Sequence, residues 1–230
     1  MNMATLGNLP KSAFLTEHDT ASMSSSRLGE GVMRVFDVII ACAALVFLAP
    51  LMIIVAITIY VLDPGPIFFA HVRVGRNGRV FRCLKFRSMV VNAEERLRDL
   101  LRNDPAARAE WEKDHKLRND PRVIGIGKFL RKSSIDELPQ LFNVLRGEMS
   151  IVGPRPIVTA EVPRYGRYFQ HYCSVRPGIT GLWQISGRND TSYRRRIAFD
   201  VIFCRTLSVK LYLRILFGTI PSVMMQQGSY

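Results

Sequence analysis

The four cysteines of this sequence, Cys42, Cys83, Cys173 and Cys204, are so widely scattered that no C-x-x-C pair occurs. Neither a zinc ribbon nor a disulfide framework is indicated, and a reducing compartment is the default. Acidic residues are scarce too, 19 against 32 lysines and arginines, for a formal charge of +13. That excess calls for an anionic partner, whether nucleic acid, anionic lipid or a phosphorylated substrate. A secretory signal is missing, because no basic stretch stands close to an apolar core near the start. Residues 1–31, rich in Ser, Thr, Asn and Gly and poor in hydrophobic periodicity, read as a disordered tail. The 230 residues suit one modest domain with a short appendage.

Hydrophobicity is concentrated in residues 35–62, broken only by Asp37 and Pro50. About 20 apolar residues cross the hydrocarbon core of a bilayer, so a spanning helix fits. Proline removes a backbone donor and bends a helix. It leaves two arms of about 12 residues, each about 18 Å long and too short to span alone. A bent helix that enters and leaves one leaflet is therefore an equal reading. Arg27 and Arg34 precede the run and Arg73, Arg76 and Arg79 follow it, so charge asymmetry selects neither orientation.

After the turn signal Asp63-Pro64-Gly65-Pro66, residues 67–74 and 80–89 read as a β-hairpin around Asn77-Gly78. Period-two alternation puts Lys85 and Arg87 on one face, either a functional basic face or a charged edge strand. Residues 92–118 read as a solvated charged helix with a thin stripe of Leu97, Leu100 and Leu101. Trp111 suits either the core or a membrane interface. Gly125 and Gly127 then turn the chain towards Arg131.

The stretch Ser133-Ser134-Ile135-Asp136-Glu137-Leu138-Pro139-Gln140 is followed by Leu141, Phe142, Leu145 and Met149 at helical spacing. Ser134 and Glu137 fit a capping box, and an acidic first turn complements the helix dipole. On these residues alone, such a pair is most often a cap or a solvated ion pair. Its company changes the odds. Lys85-Phe86-Arg87-Ser88-Met89 lies upstream and Ile151-Val152-Gly153-Pro154-Arg155-Pro156 downstream, and together they supply cations for binding an anion.

Tyr165, Tyr168, Phe169, Tyr172 and Trp183 interleave with Arg164, Arg167, Arg176 and Arg188, a mixture that can stack and neutralise a nucleic acid strand. No recognition-helix, RNA-binding or zinc-finger pattern accompanies them, and nucleic acid is not expected as a partner. Arg194-Arg195-Arg196 reads as a solvated or lipid-facing cluster. Residues 207–225 read as an amphipathic helix, lying on a membrane or packed on the core.

The run Arg131-Lys132-Ser133-Ser134-Ile135-Asp136-Glu137-Leu138-Pro139-Gln140-Leu141-Phe142-Asn143-Val144-Leu145-Arg146-Gly147-Glu148-Met149-Ser150, continued through Gly153-Pro154-Arg155-Pro156 and the segment from Arg176-Pro177-Gly178 to Gly187-Arg188, resembles the bacterial sugar transferase family. These are the monotopic polyprenyl-phosphate phosphoglycosyl transferases, and the resemblance covers nearly everything from Val32 onwards. It implies a mainly helical α+β fold: a tail over 1–31, a re-entrant membrane helix over 32–63, and a membrane-associated catalytic domain over 64–230. That domain would carry a short β-hairpin and amphipathic interfacial helices, on the cytoplasmic face of the bacterial inner membrane. Family members break the helix at Ser-Pro, where this chain has Ala49-Pro50. A hydroxyl able to bond a freed carbonyl is thereby lost.

The resemblance also implies an activity. A hexose-1-phosphate would move from a UDP-sugar to undecaprenyl phosphate, with release of UMP, as the first step of exopolysaccharide assembly. Asp136 would be the nucleophile and Glu137 the ligand of Mg²⁺, while Lys85, Arg87, Arg131 and Arg155 would hold phosphate oxygens. Arg176, Gln184 and Arg188 would surround the nucleotide-sugar pocket. Asp200 matches the family pattern only in part, since Val201, Ile202 and Phe203 follow it, and its role would be substrate contact or structure. Similarity to the compact ExoY-like members favours galactose or glucose. The implied partners are UDP-sugar, undecaprenyl phosphate and membrane lipid, with homo-oligomerisation left open. The competing classes are a conventional glycosyltransferase that releases UDP and a non-enzymatic basic membrane adaptor.

Overall fold

The structure, a computed structural model, describes residues 23–114, 117, 120–186 and 192–224. Its first element is α1 (Met23–Leu62), a 40-residue helix with Pro50 inside it. Helix is thus already present at Met23, within the stretch expected to be a disordered tail. Once a helix is nucleated, each added residue gains a backbone bond, and the apolar segment supplies the nucleus. Residues 1–22 of that expected tail lie outside the described residues.

One stripe of α1 is buried, comprising Met33, Asp37, Ala41, Met52, Val55 and Ile59. These positions recur at three- and four-residue steps or whole turns, so they share a face. On the opposite side Val35, Ile39, Val46, Phe47, Ile54, Ile57 and Val61 are exposed. Residues Gly29–Leu62 are long and apolar enough to cross a membrane. The protein packs on one side of this helix and leaves a continuous hydrocarbon surface on the other.

Two strands, β1 (Phe68–Val74) and β2 (Val80–Phe86), pair antiparallel from Phe68 with Phe86 to Val74 with Val80. Asn77 and Gly78 adopt the left-handed backbone that an Asn-Gly turn requires, with φ of 58° and 71°. The second strand stops three residues short of its expected end. Beyond Phe86, the Arg87 amide still donates to Ile67 O at 2.8 Å, but the chain then departs to pair elsewhere. The charged stretch divides into α2 (Ala93–Asn103) and α3 (Pro105–Asp114), because proline is tolerated at a helix start and not inside.

Next come α4 (Gly127–Lys132), a 3-10 turn at Ile135–Glu137, α5 (Gln140–Leu145) and β3 (Ser150–Val152). Strand β3 pairs in parallel with β4 (Gly178–Thr180), reached through α6 (Val162–Tyr165) and α7 (Phe169–Ser174). A Cβ on Gly178 would lie 2.0 Å from the Gly153 nitrogen, so this crossing admits only glycine. The chain closes with α8 (Leu182–Ile185), α9 (Tyr193–Thr206) and α10 (Val209–Met224). The last helix packs on the core through buried Tyr212 and Ile215 and leaves Phe217 exposed. The fold is mainly helical α+β, with two small two-stranded sheets among the described residues.

Asp37 ties three of these elements together. Its Oδ1 accepts hydrogen bonds from Ser150 Oγ at 2.9 Å, Ile151 N at 2.7 Å and Tyr212 Oη at 2.8 Å. At the far end of α1, Asp63 forms an ion pair with Arg87 Nη1 at 3.3 Å, and Arg87 also donates to the Asp63 carbonyl. A cation there complements the negative end of the helix dipole. We expect Asp37→Ala, which strands three buried donors, to lower unfolding free energy by about 3 kcal/mol. Tyr212→Phe should cost about 1 kcal/mol. Unfolding of the lipid-reconstituted protein, followed by tryptophan fluorescence, checks both values.

Candidate active site

The acidic pair is placed by a backbone device. Ser134 sits in the left-handed region at φ 59° and makes no side-chain cap, so the expected capping box does not form. A non-glycine residue in this region costs about 1 kcal/mol or more. The turn sends Ile135–Glu137 back against β2, where Lys85 Nζ lies 2.6 Å from Glu137 Oε1 and 3.7 Å from Asp136 Oδ2. Lysine attracted the carboxylate that would otherwise have bonded the helix start.

Asn143, fully buried on α5, holds the strand in register with that turn. Its Oδ1 accepts from Leu84 N at 2.9 Å, and its Nδ2 donates to Arg82 O at 2.8 Å and Glu148 Oε2 at 2.6 Å. These backbone groups belong to Arg82 and Leu84, immediately before Lys85 on β2. Arg131 donates from Nε to Ser88 Oγ at 2.8 Å, which fixes α4 beside the segment that follows β2.

Only 10% of the Asp136 side chain is exposed, against 34% for Glu137. Burial raises the Asp136 pKa above the usual carboxylate range. Lys85 opposes this, Glu137 reinforces it by like-charge repulsion, and Arg131 opposes it. The result is a partly desolvated carboxylate kept ionisable by two cations, with a more accessible acid next to it.

Not every expected site residue joins this cluster. Arg155 is exposed on the loop after β3 and lies close enough to act on the charges of Arg73 and Cys83. Gln184 is half-buried on α8, its carboxamide oxygen beside the contact between Gly181 and Gly153 at the root of that loop. Arg87 is 6% exposed and turned to Asp63, so the common basic face with Lys85 is not formed. The strand ends at Phe86, and alternation ends with it. Arg176 donates to Gly147 O at 2.9 Å and lines a separate, open cleft with Arg34, Asp37 and Arg76 beside the N-terminal half of α1.

Asp200 is buried in the core around Tyr165, Tyr172 and Val201. There Tyr165 Oη donates to it at 2.7 Å, and burial lifts its pKa to about 7. Arg188 lies outside the described residues. Tyr165, Tyr172 and Trp183 are core residues, unavailable for stacking on a nucleic acid, and Arg196 lies over the Trp183 ring at 4.7 Å. Asn143, Ser88 and Asp37 carry positioning work that sequence reasoning missed. The burial of an amide or acid in an apolar stripe was the one signal available for them.

Residues 28–226 match the bacterial sugar transferase family. The chain is 48% identical over 206 residues to the undecaprenyl-phosphate galactose phosphotransferase of Salmonella typhimurium, covering 90% of this chain and 43% of that protein. It is 47% identical over 218 residues to the exopolysaccharide production protein ExoY of Sinorhizobium fredii, covering 95% and 96%. To the UDP-glucose:undecaprenyl-phosphate glucose-1-phosphate transferase of Xanthomonas campestris it is 39% identical over 202 residues, covering 84% and 39%. The chain thus spans less than half the length of two of these three relatives and nearly all of the other.

The charges around Asp136 set a pH test. Lys85→Met removes the cation that favours the ionised form and raises the Asp136 pKa further, whereas Glu137→Gln removes repulsion and lowers it. Carboxyl ¹³C titration, with Asp136→Asn to assign the resonance, should show the two shifts in opposite directions.

Proposed function

The chain belongs to the bacterial sugar transferase family, and from that premise we propose that it moves a hexose-1-phosphate, galactose or glucose, from a UDP-sugar to undecaprenyl phosphate. The observation that carries this reading is the buried Asp136 carboxylate, flanked by Lys85 and backed by the more exposed Glu137. A surface cap would be solvated. This acid is instead desolvated, and so less stabilised by water and more reactive towards an electrophile.

In the proposed reaction an Asp136 oxygen attacks the phosphorus next to the sugar. The bond from that phosphorus to the bridging oxygen breaks, and UMP leaves with the electron pair. The aspartyl-phosphosugar is then attacked at the same phosphorus by an oxygen of undecaprenyl phosphate, which restores the carboxylate and yields a lipid diphosphate sugar. Lys85 and Arg131 stabilise charge on non-bridging oxygens as it moves away from Asp136, and Arg155 holds oxygens of the donor diphosphate from the loop after β3.

Glu137, with Asp136 beside it, would hold Mg²⁺. No cluster of three or more metal-ligating side chains occurs among the described residues, which suits an ion that takes one or two carboxylates and completes its shell with phosphate and water. When bound, the ion supplies neutralisation of the donor diphosphate.

The packing of α1 supports a re-entrant helix. Met33 and Ile59 lie about 39 Å apart along a straight helix, yet both are buried against the same domain. A spanning arm would carry Ile59 away from Phe86, Ile124 and Leu130, the residues that it packs against. The lipid acceptor and the aqueous donor then meet at the headgroup level, on the cytoplasmic face of the inner membrane. Names among the relatives mention galactose and glucose 1-phosphate together with undecaprenyl phosphate, which supports this sugar class, and the name of the Sinorhizobium fredii relative mentions exopolysaccharide production, which supports a place for the reaction at the start of that assembly.

Two measurements test the reading. Purified protein in nanodiscs with UDP-galactose or UDP-glucose, Mg²⁺ and undecaprenyl phosphate should release UMP, and Asp136→Asn should reduce turnover by about 10⁴-fold or more. Release of UDP would mean simple glycosyl transfer, and full activity of the variant would remove Asp136 as nucleophile. For topology, cysteine tags placed before Val32 and after Pro66 should be labelled from one side of the membrane. Labelling from opposite sides would replace the re-entrant helix with a spanning one.

A further inference from the structure

The hairpin register places a second cationic group on the face that carries Lys85. Phe69, His71 and Arg73 pair directly with Lys85, Cys83 and Phe81, and directly paired residues project to the same side of a sheet. Arg73 therefore stands one end of the face away from Lys85, with Cys83 between them. Burial lifts the Cys83 thiol to about 11, and the charges that act on it after burial are Lys85, Arg73, Glu137 and Arg155. One buried sulfur thus has three cations and one acid of the candidate site around it.

Arg73 is poorly neutralised. Its Nη1 donates to Pro156 O at 3.3 Å, next to Arg155 in sequence, and its nearest carboxylate, Glu161, is 4.0 Å away. That carboxylate already accepts from Val158 N at 2.9 Å. Arg155 is exposed and makes no hydrogen bond or ion pair among the described residues. Burial lowers the Arg73 pKa, and the like charge of Arg155 lowers it further, so the two guanidinium groups lie within electrostatic reach of each other. An anion between them relieves that repulsion, and the planar guanidinium fork matches phosphate oxygens.

We propose that Arg73 and Arg155 form the subsite for the nucleoside-side phosphate of the donor, leaving the sugar-side phosphate to Lys85 and Asp136. This rests on the nucleotide-sugar reading above and adds a direction to it: the nucleoside lies towards the Val74 end of the hairpin and the sugar towards the acidic pair. It also gives the two arginines a role in the first step. When the bond between the phosphates breaks, the departing UMP phosphate gains a negative charge, and that charge develops between two guanidinium groups.

UMP carries only the nucleoside-side phosphate, so it separates the two subsites. The intact chain in phosphatidylcholine nanodiscs is titrated with UMP and with UDP by calorimetry. Arg73→Gln and Arg155→Gln should each weaken UMP by about tenfold or more, whereas Lys85→Gln should weaken UDP and leave UMP within about threefold. Arg155→Gln removes a side chain that makes no hydrogen bond or ion pair among the described residues, so a weakened UMP there is not a loss of those contacts. Unchanged UMP affinity in both arginine variants overturns the subsite. Loss in Arg73→Gln alone also overturns it, because Arg73 would then act only by holding the loop at Pro156. Failure of the unaltered chain to bind either nucleotide overturns the nucleotide-donor reading and the subsite with it.

Discussion

A carboxylate buried on the inner face of an apolar helix constrains everything that packs around it. Asp37 sits 2% exposed among hydrophobic neighbours, where an unpaired acid would cost several kcal/mol. Three donors meet the cost, two from the start of β3 and one from α10. Because all three converge on one oxygen, α1 cannot rotate or slide without stranding them. The apolar helix α1, strand β3 and the helix α10 are therefore set in one geometry. The loop that carries Arg155 leaves the end of that same strand.

The second end of α1 is fixed by a different chemistry. Arg87 buries its guanidinium against the carboxylate and the carbonyl of Asp63, just past the end of α1, and it does so one residue beyond β2. The strand that supplies Lys85 is thus tethered to the C-terminal end of α1. The long apolar helix and a site built on this hairpin share a frame as a consequence. The positive excess of the chain is distributed accordingly, with some arginines spent on helix ends and loop carbonyls, such as Arg34 on Val144 O and Leu145 O. Only a few remain to face an incoming anion.

The acidic pair shows how far a local pattern can be followed. Its apolar companions and its neighbours in the motif marked it as a site, and the hairpin was legible from Asn77-Gly78 and period-two alternation. The expected cap failed because Lys85, 52 residues earlier, offers Glu137 a charged partner, and a salt bridge at 2.6 Å outcompetes a neutral backbone donor. Arg87 and Arg176 looked like phosphate ligands since they share the motifs of Lys85 and Gln184. Arg87 is consumed by Asp63 and Arg176 by Gly147, and neither partner is near it in sequence. Asp200 matches the family pattern only in part, and substrate contact and structure are both open from the sequence. The tertiary fold buries it under Tyr165.

Sequence alone determined what depends on neighbours along the chain: the long apolar helix with its proline, the turn at Asn77-Gly78 and the family motif around Asp136. These follow from φ and ψ preferences, missing donors and periodicity, all of which act over a few residues. Tertiary structure decided which of many cations face the carboxylates and which are spent on holding the fold. A guanidinium binds whichever acceptor is nearest in space, and the distance from Lys85 to Glu137 or from Arg73 to Arg155 exists only once strand, turn and loop have packed around the buried face of α1.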